Sequence, residues 1–203
     1  MPNSDHPIQC RCGRLRGVLA RQAPVTRAAC YCRDCQAYAH ALGNPGQVLD
    51  AQGGTDIVAT LQQHLRFTEG TETLACLSLT EKGLLRWHAS CCGTPIGNTA
   101  RDPKLSYLGL VHSCLGPNPA ALDADFGPSH IAISIQHAKG PVKASRLAFV
   151  SGTARIIGTV LWARLTGGWK RSPLFRHPDA QPVVPARVLS PEELAKARSA
   201  VSS

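Results

Sequence analysis

The stretch Cys30-Tyr31-Cys32-Arg33-Asp34-Cys35 places three thiols within six residues. A C-x-x-C pair lets two thiolates reach one metal ion from a tight turn, and Cys30 adds a third sulfur from the strand leading in. Three protein ligands with one open position is how a reactive Zn²⁺ is held, whereas a structural site closes all four. The pattern therefore predicts a metal centre with a free face, in which Cys30, Cys32 and Cys35 are both ligands and catalytic residues. The competing reading is buried free thiols, since an unpaired Cys packs as a small apolar residue. Three at this spacing favour the metal.

Two further thiol groups flank this stretch. Cys10-Arg11-Cys12-Gly13 is a knuckle in which the glycine suits a turn that folds backbone N–H groups toward a thiolate. Cys91-Cys92-Gly93 repeats the Cys-Gly step. Cys10, Cys12 and Cys92, with either Cys91 or His88, would close a four-ligand structural zinc. Adjacent cysteines point opposite ways in an extended strand, so Cys91 and Cys92 share an ion only where the backbone turns. Cys91 is the preferred fourth ligand and His88 the alternative. His40, His112, His130, His137 and Cys114 are candidates for a fourth ligand or proton shuttle at the open site. His130 leads the histidines because it starts an alternating strand. Cys76 reads as core, and Arg33 as a solvated loop residue ahead of a partner for a substrate carboxylate.

Nine cysteines, an odd number, follow a polar start, Met1-Pro2-Asn3-Ser4-Asp5-His6, that has no apolar signal region. Reduced thiols in a cytoplasmic setting are expected, where clustered Cys means metal or chemistry more than disulfides. No apolar run is long enough to span a bilayer. The net charge of +9 sits unevenly: residues 1–140 hold 12 basic and 10 acidic side chains, residues 141–203 hold 10 and 3. The excess belongs away from the cysteines and is too diluted with apolar residues to point to nucleic acid.

Residues 36–46 fit one or two helical turns, ended by Gly43-Asn44-Pro45-Gly46. Short strands are expected at 47–50, 56–60, 64–68, 73–79, 83–88, 107–114 and 129–136, the last from the alternation of Ile131, Ile133 and Ile135. Such spacing predicts a mainly β, largely antiparallel domain over 1–140. Residues 141–203 read as a basic, largely helical C-terminal extension. It carries one helix over 145–166 and a second over 190–200 with Ser190, Pro191 and Glu193 as a capping box. Arg155 and Arg164 fall on opposite sides of the first helix, which disfavours a membrane-surface role. Packing against the β domain, or a homodimer formed through the extension, is expected instead.

Cys10-x-Cys12-Gly13, Cys30-x-Cys32-x-x-Cys35, Cys92-Gly93 and the later Pro128-Ser129-His130-Ile131 resemble the glutathione-dependent formaldehyde-activating enzyme family, which includes the centromere protein V-like proteins. The resemblance covers roughly residues 8–138. It implies an Mss4-like zinc-binding β fold with two zinc ions: a structural one on Cys10, Cys12 and Cys92, and an active one on Cys30, Cys32 and Cys35. It also implies glutathione as the thiol and a carbon–sulfur lyase type of chemistry. The sequence departs from that pattern where the late C-x-x-C is contracted to Cys91-Cys92. Two rival expectations are a non-catalytic zinc-stabilised binding module with the same fold and a basic-surface adaptor centred on 145–171.

Overall fold

The computed structural model describes residues 5–116 and 119–201; the polar start at Met1–Ser4 lies outside them. Strands β1 (His6–Gln9) and β2 (Arg16–Leu19) form a hairpin that β5 (Leu65–Glu69) extends into a three-stranded sheet. The larger sheet has eight strands in the order β10-β3-β4-β9-β8-β7-β6-β11. Its members are β3 (Thr26–Cys30), β4 (Thr55–Leu61), β6 (Leu74–Ser78), β7 (Leu85–Ala89), β8 (Thr94–Thr99), β9 (Tyr107–Val111), β10 (Ile131–Ile133) and β11 (Ala186–Val188). Pairing is antiparallel except at the two edges, where β10 joins β3 and β11 joins β6 in parallel. The helices are α1 (Arg33–Ala41), α2 (Pro119–Phe126), α3 (Arg146–Leu165) and α4 (Pro191–Ser199). The fold is mainly β, with α1 on one face of the large sheet and Leu122 of α2 in the core on the other.

Strand periodicity sorts the two faces. On β7, Leu85, Trp87 and Ala89 enter the main core with Val58, Ile96, Leu108 and Leu110, facing Ile8, Leu19 and Leu65 of the small sheet and Leu15 of its hairpin turn. Trp87 is fully buried, donates its indole N–H to Thr99 Oγ1 at 3.0 Å and meets Phe175 edge-on at 6.2 Å. Arg86, between two core residues, points to the opposite face. There α1 packs Ala39 against Val48 and Val111, and Ala37 and Tyr38 against Leu77, Leu189 and Ala197 of the C-terminal segment.

Several expectations are corrected. Residues 47–50 make no strand: Pro45–Gln47 is a 3₁₀ turn, and only Leu49 bridges to Thr55. The strand expected over 129–136 stops at Ile133, because Ser134 adopts a left-handed φ of 58° and a 3₁₀ turn follows. Helix α1 starts at Arg33, earlier than position 36, since Cys32 caps it. Strand β8 was hidden by Pro95 and Gly97, which argue against a strand interior. The structure accommodates them where the β7–β8 register shifts between Trp87 and His88. The segment after residue 140 carries the expected helices, and it also returns to the sheet through β11 and places Leu174 and Phe175 in the main core.

Candidate metal centres

The knuckle at the end of β1 forms as the glycine requires. Gly13 takes φ +75°, its N–H bonds the Cys10 carbonyl at 2.9 Å, and the Leu15 N–H points at Cys10 Sγ at 3.3 Å. Opposite it, the chain leaving β7 turns sharply. The Gly93 N–H returns to the Ala89 carbonyl at 2.9 Å with φ +67°. That turn resolves the problem of adjacent cysteines: Cys91 and Cys92 sulfurs lie 3.9 Å apart on one side. Cys10 is 3.5 Å from Cys12 and 3.8 Å from Cys91, and Cys12 is 3.2 Å from Cys91. Sulfurs about 2.3 Å from a tetrahedral zinc stand about 3.8 Å apart, so this donor set fits a four-coordinate ion. His88 stays outside the cluster, with Nδ1 buried and unbonded.

Protonation in this quartet divides by environment. Backbone N–H donation near Arg14 and the Cys91 thiol pull Cys12 down. Burial opposes ionisation of Cys92, yet the Thr94 hydroxyl, 3.1 Å away, and backbone N–H groups hold it down to about 6. Burial and the neighbouring thiols push Cys91 up to about 12. Cys12 and Cys92 are thus the sulfurs shifted toward the thiolate that a metal ion requires, and Cys91 is shifted away from it.

The second centre forms where β3 ends and α1 begins. Cys30, Cys32 and Cys35 bring their sulfurs within 4.8 Å of one another, with Cys35 Sγ 3.7 Å from Cys30 Sγ. Cys32 is the N-cap of α1, its sulfur accepting the Cys35 N–H at 3.4 Å. Donation from the Cys30 and Cys35 thiols and this N–H make Cys32 the favoured thiolate, while donation to Cys32 drives Cys30 far up. For Cys35 the Cys30 contact acts downward, but donation to Cys32 and burial outweigh it. Buried Gln36 fixes the turn by donating to the Tyr31 carbonyl at 2.7 Å and the His137 carbonyl at 3.0 Å.

A cavity of about 280 Å³ opens onto this trio. Its walls come from β3, β4, β9, β8 and β7, with β10 and α3 closing one side. Strands β3 and β7 are four places apart in the sheet; Arg86 reaches the cavity from β7 through its long side chain, and the Cys35 it meets lies on α1. Arg86, 3% exposed, stands with Nη1 3.9 Å from Cys35 Sγ, donates to Asn98 Oδ1 at 3.3 Å and lies over the Tyr38 ring at 5.1 Å. Tyr107 is in the wall as well, its phenol held protonated first by burial and then by the Cys35 and Cys30 sulfurs.

The other sequence candidates fall elsewhere. No histidine or carboxylate among the described residues joins the trio. His130 is exposed; His137 and His40 are half-buried outside the trio; His112 Nδ1 lies 3.4 Å from the Asp56 carbonyl and lines a separate cavity of about 430 Å³ beside Cys10. Cys114 is fully buried, donating to the Ile96 carbonyl, Cys76 is core, and Arg33 is exposed. Sequence reasoning missed Arg86, Asn98 and Tyr107. The one available signal was a charged residue, Arg86, between the core positions Leu85 and Trp87.

All nine cysteines are unpaired, and among the described residues no helix is long and apolar enough to cross a membrane. A comparison with curated proteins finds no match. A family model described as a family of unknown function, DUF6151, matches residues 3–185. A match over nearly the whole of a fold that carries two thiol clusters places this chain in the DUF6151 family.

Proposed function

We propose that the chain is a zinc-dependent carbon–sulfur lyase type of enzyme. Cys30, Cys32 and Cys35 would hold a reactive ion, and Cys10, Cys12, Cys91 and Cys92 a structural one. The observation that carries this reading is the cavity of about 280 Å³ on the open side of three converging sulfurs, where the other cluster has a fourth sulfur. A zinc ion at the trio would keep an incoming thiol ionised near neutral pH. The resemblance to the formaldehyde-activating family implies glutathione as that thiol and an Mss4-like scaffold with two zinc ions, and the two-cluster arrangement supports the two-ion part of that reading.

The reaction is the addition of a thiolate to a small aldehyde. The sulfur lone pair attacks the carbonyl carbon, the C=O π electrons move onto oxygen, and that oxygen takes a proton. The product is a hydroxyalkyl thioether, and the reverse direction breaks the C–S bond. Tyr107 is a proton donor available in the wall, replenished from solvent. Arg86 offsets the charge that accumulates on the sulfurs, at a distance where an effective dielectric of about 20 makes the attraction about 4 kcal/mol. Reduced thiols throughout support a cytoplasmic setting.

Metal content of protein purified without chelator tests the assignment. Two zinc ions per chain, falling to one in a Cys32→Ser/Cys35→Ser variant, is the expected result. A count that does not change in that variant rejects it.

A further inference from the structure

The chemistry of the cavity wall constrains which thiol can enter. Among the described residues, two charged side chains line it, Arg86 and Asp34. Arg86 is already committed: it faces Cys35 Sγ, bonds Asn98 and stacks on Tyr38. Asp34 is paired with Arg198 at 3.5 Å, so neither group is a free partner for a carboxylate. Most of the remaining surface is apolar, from Ala28, Ile57, Ala59, Leu84, Ile131 and Ile156. Glutathione carries two carboxylates and an ammonium, and moving an unpaired carboxylate into such a wall costs several kcal/mol. The volume of about 280 Å³ is also just under the ~300 Å³ where small-molecule sites begin.

The ceiling of this cavity comes from outside the region that resembles the formaldehyde-activating family. Thr153 and Ile156 of α3 face into it. Helix α3 can lie this close because residue 152 is glycine. A Cβ there would stand 2.4 Å from Ile131 Cδ1 and 2.9 Å from Thr26 Cγ2. Without α3 the trio would face an open groove, so the C-terminal segment decides what reaches the sulfurs.

From this we infer that the site takes a small, uncharged thiol with an apolar body, or its aldehyde adduct, and that Ile156 is the residue that limits its size. The inference rests on the trio holding a metal ion. The protein loaded with cobalt in place of zinc supplies the test, read by the thiolate-to-cobalt absorption on titration with benzyl mercaptan and with glutathione. Benzyl mercaptan is expected to half-saturate at a concentration at least about tenfold below that for glutathione. Ile156→Trp, which fills the cavity from a half-buried helix position, is expected to weaken benzyl mercaptan about tenfold while cobalt content stays unchanged. Glutathione binding as tightly as benzyl mercaptan overturns the inference and leaves the metal site standing. So does Ile156→Trp with cobalt retained and affinity unaltered. If Ile156→Trp does not fold, the comparison of the two thiols on the unaltered protein decides alone. No loss of cobalt in the Cys32→Ser/Cys35→Ser variant overturns both readings.

Discussion

Replacing Gly93 by alanine tests the turn that lets two consecutive cysteines face one ion. Gly93 sits at φ +67°, and holding an L-residue there costs about 1–2 kcal/mol. The new Cβ would also come within 3.1 Å of the Leu42 carbonyl oxygen and of Asn44 Nδ2. The carbonyl is backbone and cannot swing away. Asn44 can, but doing so breaks its 3.3 Å bond to that same Leu42 oxygen, worth about 1 kcal/mol. Restricting the unfolded chain returns about 0.5 kcal/mol. The expected net loss is about 2 kcal/mol. Urea unfolding in the presence of chelator reads this strain without a contribution from metal. Gly46→Ala is the control, because nothing lies within 4 Å of its Cβ position and its backbone is not left-handed. Gly93→Ala as stable as the parent protein, or a matching loss in Gly46→Ala, would refute the reasoning.

Arg27 is buried and joins three elements, donating to Asp56 of β4 at 2.7 Å, to Asp123 of α2 at 2.6 Å and to the Gly127 carbonyl at 2.9 Å. Arg27→Met strands the half-buried Asp56 and is expected to cost about 3 kcal/mol, read from the urea midpoint. Thr99→Val leaves the Trp87 indole N–H without its partner at zero exposure, and a loss of about 1–3 kcal/mol is expected by the same measurement. In metal-free protein at pH 6, iodoacetamide followed by peptide mapping should modify Cys32 ahead of Cys30 and Cys35, because the neighbouring thiols and the α1 N-terminus favour its ionised form. Arg86→Gln should move the pH midpoint of that reaction upward, since removing a nearby cation raises the pH at which Cys32 ionises; an unaltered midpoint would show that the Arg86 charge does not reach the sulfurs.

What was legible in the sequence were features set by neighbours a few residues apart. The C-x-C-x-x-C spacing, the glycines after Cys12 and Cys92, and the Ser190–Glu193 capping box each encode a local geometry, and each forms. The pairing of the Cys10 knuckle with Cys92 was also within reach, because metal ligation demands a second pair of donors. The rest depends on contacts distant along the chain. Alternation at Ile131, Ile133 and Ile135 suggested a long strand, but the run becomes a short parallel edge once Ser134 turns left-handed. Strand β8 forms despite Pro95 and Gly97 because six consecutive positions are buried between β7 and β9. The role of Arg86 follows from its contact with Cys35 of α1, 51 positions away in the chain, which no local pattern encodes.

The quartet joins the end of β1 in the small sheet to the β7–β8 turn of the large one, across 81 positions of chain. A cross-link closing a loop of that length removes about 4.5 kcal/mol of freedom from the unfolded ensemble. An ion on these sulfurs would act as a seam between layers otherwise held by side-chain packing and a few hydrogen bonds, such as the Arg11 N–H to Thr94 Oγ1 at 3.0 Å. Withdrawing it should therefore loosen the molecule unevenly. Backbone amides of residues 6–19 would begin to exchange with deuterium quickly, while those of the central β4–β9 ladder stay protected.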